Sequence, residues 1–96
     1  MYTVVRNYSG SGAKALFDLL ENKKSDIEAT FKGIKGLITY TLARTGDGGI
    51  TVTVCQDKAG ADESVRVARD WIQKNIPNTG AAPPAITEGE VVVLIR

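Results

Sequence analysis

The chain contains no histidine. That removes imidazole-activated nucleophiles, imidazole ligation of haem and the usual zinc sites. One cysteine and one methionine leave little for a transition metal to bind. A metal site would need carboxylates alone. No pair of acids has a recognisable ligand spacing, so neither a metal nor another cofactor is expected. A lone cysteine cannot close an internal disulfide, which points to a reducing, cytoplasmic setting. No apolar run approaches the ~18–20 residues that span a bilayer. The first residues, MYTVVRNY, lack the basic and long apolar regions of a signal peptide. Excess charge is also missing: 12 basic against 11 acidic residues leave a net +1. There is thus no electrostatic case for nucleic acid or an anionic membrane surface.

What is present is ordinary globular composition, 43% apolar and 24% charged over 96 residues. That length suits one domain, residues 1–96, which buries about two-thirds of its unfolded surface. Tyr2 to Tyr8 is rich in β-branched and aromatic residues and ends at Ser-Gly-Ser-Gly, a strand followed by a break. Ser11 can cap a helix whose apolar face is Ala13, Leu16, Phe17 and Leu20. Lys23-Lys24 interrupts this stripe. Ser25-Asp-Ile-Glu28 has capping-box spacing, and Ile27, Phe31 and Ile34 resume the stripe. The pattern predicts a helix, a kink near Ser25, and a shorter helix ended by Gly33.

Gly36 opens a strand over Leu37 to Thr45, and Ile50 to Gln56 alternates as a second strand. Ala61 to Ile76 reads as a helix with the stripe Ala61, Val65, Ala68, Ile72 and Ile76, and with Trp71 at its edge. Asp62–Arg66 and Arg66–Asp70 form i,i+4 pairs on its wet side. Pro77 stops it. Asn78 to Gly89 is a long Pro/Gly/Ala loop, and Glu90 to Ile95 is the last strand. The order β-α-β-β-α-β is that of a ferredoxin-like α+β fold, an antiparallel sheet of order 4-1-3-2 with both helices on one face.

Between the middle strands lies Arg44-Thr-Gly-Asp-Gly-Gly49. Asp47-Gly48 is a type I′ hairpin signal. The implied register sets Arg44 opposite Thr51, Leu42 opposite Thr53 and Tyr40 opposite Cys55. One face of the hairpin then carries Tyr40, Leu42, Arg44, Thr51, Thr53 and Cys55. The other carries Thr41, Ala43, Ile50, Val52 and Val54, small aliphatic residues that suit packing under helices. On that reading the first face needs another cover. So does Val91-Val-Val-Leu-Ile95, which is apolar on both faces. A second copy packed sheet to sheet in a two-fold dimer would supply it, and its mixed interior would suit a small apolar or aromatic ligand. In the first strand, Tyr2/Val4/Arg6 and Thr3/Val5/Asn7 are equally mixed, and either set can point inward.

The strand order, the Gly36-Leu-Ile-Thr-Tyr40 entry and the Val54-Cys-Gln-Asp57 run together resemble the dimeric α+β barrel superfamily. That group includes the antibiotic-biosynthesis-type monooxygenases, and the likeness is closest to uncharacterised bacterial members. The resemblance implies a homodimer with a pocket between the sheet and its helices or loops. Some members oxidise aromatic polyketides without metal or flavin, and others degrade haem with an Asn, Trp and His set. This chain departs from the haem-degrading pattern, having no His, and with Cys55 near where the strand-borne Trp would be. The cofactor-free members place Tyr, Trp, Asn and Arg around their substrate. Tyr40, Arg44, Trp71 and Asn7 are of those types.

Bland readings stand beside these. Gly10-Ser-Gly12-Ala-Lys-Ala15 matches a relaxed dinucleotide fingerprint, but the chain lacks the parallel strands of such a fold. Cys55 without a histidine reads as a small buried apolar residue, and Asp47 as turn chemistry. Two function classes remain: a small-molecule enzyme of the oxygenase or isomerase kind, and a dimeric ligand-binding or structural module without chemistry.

Overall fold

The computed structural model describes all 96 residues, Met1–Arg96. Strand β1 (Tyr2–Tyr8) leads into α1 (Ala13–Asn22) and α2 (Lys24–Lys32). The hairpin of β2 (Leu37–Thr45) and β3 (Gly48–Cys55) follows, then α3 (Lys58–Asn75) and β4 (Ala85–Glu90). The sheet is antiparallel with order β2-β3-β1-β4, as the ferredoxin-like reading requires. The predicted kink appears as a one-residue break at Lys23. Neither Ser11 nor Ser25 caps a helix: α1 starts from Gly12 and α2 from Lys23, without side-chain caps. The long helix begins three residues earlier than Ala61, because the Asp57 carboxylate accepts the Gly60 N–H at 2.8 Å. Of the expected pairs on that helix, Arg66–Asp70 forms at 3.1 Å, while Asp62 pairs with Lys58 at 3.2 Å.

The core sits between the sheet and the helices. Phe17, Leu16, Leu20, Ile27, Phe31, Ala68 and Ile76 come from the helical side and its ends. They meet Tyr8, Tyr40 and Leu42 from the strands. This reverses the expected orientation of the hairpin. Thr51, Thr53 and Cys55 are buried beneath the helices, while Ile50 and Val52 are only half-buried on the open side. The physical reason is spacing. Two helices lying across a sheet leave deep gaps that aromatic and long side chains fill, whereas a flat set of β-branched residues suits a second sheet.

The hairpin register also differs by two residues. Thr45 pairs with Gly48, Leu42 with Thr51 and Tyr40 with Thr53, so the turn is Gly46-Asp47. Neither turn residue takes a left-handed backbone, so this is not the type I′ turn expected at Asp47-Gly48. Helix α1 accounts for the shift. A Cβ on Gly49 would lie 2.0 Å from the Phe17 ring, and one on Gly48 would lie 2.1 Å from the Tyr8 carbonyl oxygen. These two glycines are strand residues on which α1 and β1 sit directly.

The last strand is a second correction. It runs over Ala85–Glu90 rather than Glu90 to Ile95. Tyr2 pairs with Glu90 and the Met1 carbonyl accepts the Val91 N–H at 3.0 Å. β1 ends there, so the chain beyond has no strand to pair with. Val92, Val93 and Ile95 project with exposures of 93%, 74% and 89%.

Candidate functional site

A cleft of about 640 Å³ opens between β1, β4, the C-terminal half of α3 and the loop after it. Leu16, Val65, Ile72 and Ile76 make apolar walls, and Pro77, Pro83 and Pro84 stiffen the loop side. Gly12 holds this loop in place. Its φ is +86°, and an added Cβ would come within 2.5 Å of the Ala81 nitrogen. Close backbone approach therefore accounts for Gly12, while Gly10 has open space around it and a φ of +83°. No acidic side chain lines the cleft.

The floor carries the chemistry. Arg6 follows Val4 on the helix side of β1, in register with Thr51 of β3 and Ile86 of β4. It is only 4% exposed. Its Nη1 donates to the Tyr8 hydroxyl at 3.2 Å, and its guanidinium carbon lies 6.0 Å from the Tyr8 ring centroid. Tyr8 packs edge-on against Phe17 at 5.5 Å. Behind Arg6 and Tyr8 lies a smaller void of about 20 Å³, lined also by Tyr40, Leu42, Thr51 and Trp71. Tyr40 stacks on Phe31 with ring centroids 4.1 Å apart. Thr51 is buried there with a hydroxyl that has no hydrogen-bond partner, and so, outside the void, is Thr53.

Burial pushes the phenols of both Tyr8 and Tyr40 above the usual tyrosine range, and the Arg6 guanidinium pulls both part of the way back. Both are therefore neutral O–H donors at neutral pH. A raised folded-state pKa contributes stability that is complete below the unfolded tyrosine value and is lost as pH rises through the folded one. The expected result is a loss of stability that begins above about pH 10. Denaturant melts across alkaline pH should show a shallower loss for Tyr8→Phe and Tyr40→Phe than for the parent.

The residues named from sequence divide into three groups. Tyr40, Leu42, Thr51 and Trp71 meet around the small void. Thr53 and Cys55 are buried toward the start of α3, where burial and then the Asp57 carboxylate push the thiol up, so it is a protonated packing group. Arg44 and Asn7 lie outside both spaces. Arg44 pairs with Asp18 at 2.7 Å and Glu21 at 3.3 Å on α1, and Asn7 is exposed opposite Ile50 on the open face. Sequence reasoning missed Arg6 and Tyr8 as site residues. The available signal was their shared strand parity with Val4, which places a cation in an otherwise apolar row.

No cluster of acids and thiols could hold a metal ion, and no helix is long and apolar enough to cross a membrane. No protein-family model and no curated protein matches the sequence. Solved structures do. A Nitrosomonas europaea protein of unknown function, NE2512, superposes with a TM-score of 0.70 at 15% identity, over 99% of this chain and 91% of its own. The haem-degrader MhuD of Mycobacterium tuberculosis, solved with two haems in its active site, gives 0.70 at 15% identity over 100% of both chains. The Streptomyces coelicolor monooxygenase ActVA-Orf6, solved with nanaomycin D, gives 0.57 at 16% identity over 99% of this chain and 90% of its own. The chain thus carries the ferredoxin-like α+β protomer fold shared by antibiotic-biosynthesis-monooxygenase-like proteins and by MhuD.

Proposed function

We propose that this protein is a homodimeric small-molecule enzyme of the cofactor-independent monooxygenase kind, working in the cleft on the helix side of each sheet. The observation that carries this reading is the buried Arg6–Tyr8 pair on the floor of an apolar cleft. Tyr8 accepts a hydrogen bond from Arg6, which leaves its own O–H free to donate and polarises it. A carbonyl oxygen placed there gains a donor that strengthens as negative charge develops. Arg6 holds an anionic group of the substrate, and the apolar walls admit a flat aromatic body and dioxygen while excluding water.

A balanced reaction needs no further reagent. A ring methylene, conjugated through its flanking aryl rings with a carbonyl across the same ring, loses two hydrogens. One oxygen atom of O₂ becomes the new carbonyl and the other leaves as water. The four electrons come from the substrate. Because the cleft is lined by no carboxylate or imidazole, the methylene must be acidic in its own right. Haem suits these residues less well: the chain has no histidine, its one thiol lies outside the cleft, and Tyr8 is engaged by Arg6.

The test is oxygen uptake with an anthrone, plain or carrying a carboxyl group. The parent should accelerate uptake and form the quinone, and Tyr8→Phe should slow it on the order of a hundredfold. The absence of any general base in the lining favours one alternative, a dimeric binding module without chemistry. Saturable binding without accelerated uptake would establish that alternative and overturn the oxygenase reading.

A further inference from the structure

We infer that the cleft selects a monocarboxylic acid with a bulky apolar body, its carboxylate seated on Arg6. The inference rests on the cleft being the ligand site, as proposed above, but not on any oxidation taking place there.

Arg6 has no counter-ion. The ion pairs of this fold lie among the lysines, the other arginines and the acids of the helices and β4, and none includes Arg6. The side chains that meet it are neutral phenols: the Tyr8 hydroxyl accepts from it at 3.2 Å, and Tyr40 also lies within its reach. A guanidinium has five N–H donors and does not discharge by losing a proton, so an uncompensated one is costly to bury. The cation nevertheless sits at 4% exposure on the wall common to the cleft and the small void. Thr51, its register partner on β3, is buried with an unpartnered hydroxyl. Unmet donors therefore converge on one spot.

The charge and shape of the ligand follow from the same residues. One buried cation balances one negative charge, and the fork of a guanidinium matches the two oxygens of a carboxylate. A phosphate dianion would want more: the only other cation on the lining, Arg69, has a side chain 62% exposed and an acid partner, Asp70, at 3.6 Å. A group that must first be ionised in place fits poorly, because the lining holds nothing to take its proton. A carboxylic acid arrives already ionised at neutral pH. The remaining wall is aliphatic and proline-rich, which suits a ring system rather than a sugar.

The experiment titrates the full chain with 2-naphthoate and its neutral isosteres, 2-naphthamide and 2-naphthylmethanol, followed by calorimetry and by the fluorescence of the single tryptophan, Trp71. The acid should bind on the order of 30-fold more tightly than either isostere, because each of them leaves the buried charge unpaired. In Arg6→Met that preference should vanish, with acid and amide within about threefold of each other. Arg6→Lys should keep the preference for charge at lower affinity, having lost the bidentate fork. Arg6→Met should also melt no lower than the parent, since removing an unpaired buried charge for an apolar side chain relieves a cost. Equal binding of acid and amide to the parent overturns the carboxylate assignment and leaves the cleft standing as a neutral-ligand site. Binding of none of the three overturns the cleft reading and the carboxylate assignment with it. The comparison among ligands uses the parent chain alone, so it decides the matter even where a variant fails to fold.

Discussion

Phe17→Ala should cost about 3–5 kcal/mol of folding stability. For a domain of this length, whose total is on the order of 5–14 kcal/mol, that is a large share. Phe17 is fully buried, packs edge-on to Tyr8, and lies flat against the backbone at Gly49. Truncation therefore removes an aromatic pair and leaves a void that two backbone segments cannot close. The same contact predicts a specific non-additivity. Gly49→Ala by itself drives a methyl group into the ring, at 2.0 Å from its nearest carbon, and overpacking of this kind costs about 1–3 kcal/mol or more. With Phe17 already alanine, that methyl group enters the space the ring left. The double variant should then be no less stable than Phe17→Ala alone, giving a coupling energy of about 1–3 kcal/mol between the two sites. Urea melts of the four proteins measure it. Simple additivity of the two losses would mean that the ring does not rest on Gly49.

The order of elements and the sheet order were legible from sequence because each rests on a local signal: strand alternation, a helical stripe, Pro77 after α3. The facing of the hairpin was not. Its two faces share the same alternation, and only the volume under the helices decides between Leu42 and Tyr40 on one side and Ile50 and Val52 on the other. The register failed for a related reason. Gly48 and Gly49 read as turn residues, yet they are glycines because Tyr8 and Phe17 lie on them, and those contacts are more than thirty residues away in sequence. The last strand was misplaced because apolar composition outweighed pairing. AITEGE is a polar edge strand fixed by the length of β1, while VVVLI has no strand to pair with beyond the one bond from the Val91 N–H to the Met1 carbonyl. The cleft was legible only in its cation. The mouth is built by the Pro-rich loop, whose path follows from its contact with Gly12 rather than from its own composition.

Val52→Asp should convert the proposed dimer into a folded monomer. Val52 stands mid-sheet, paired with Val5 and Thr41, on the side away from all three helices. Thr3, Val5, Ala43 and Ile50 share that side and are half-buried. Val54 on the same side is buried at 5%, but its neighbours towards the hairpin are only half-buried, and the exposed Val92, Val93 and Ile95 follow β4. The dimer proposed above would cover this half-buried face with a second copy related by a two-fold axis. In such a dimer each interface residue occurs twice, so a single aspartate buries two like charges without counter-ions. At about 2 kcal/mol or more per charge, the dissociation constant should rise by at least about a thousandfold. Within the protomer the same side chain faces water, so the melting profile of the monomer should stay cooperative. Light scattering across a dilution series reads both the parent and the variant. A parent that is monomeric at high concentration, or a variant that remains a dimer, would overturn the two-fold arrangement. The cleft lies on the opposite side of the sheet from Val52, which is not among its lining residues. The Val52→Asp monomer should therefore bind 2-naphthoate within a fewfold of the parent, which separates assembly from ligand recognition in one variant.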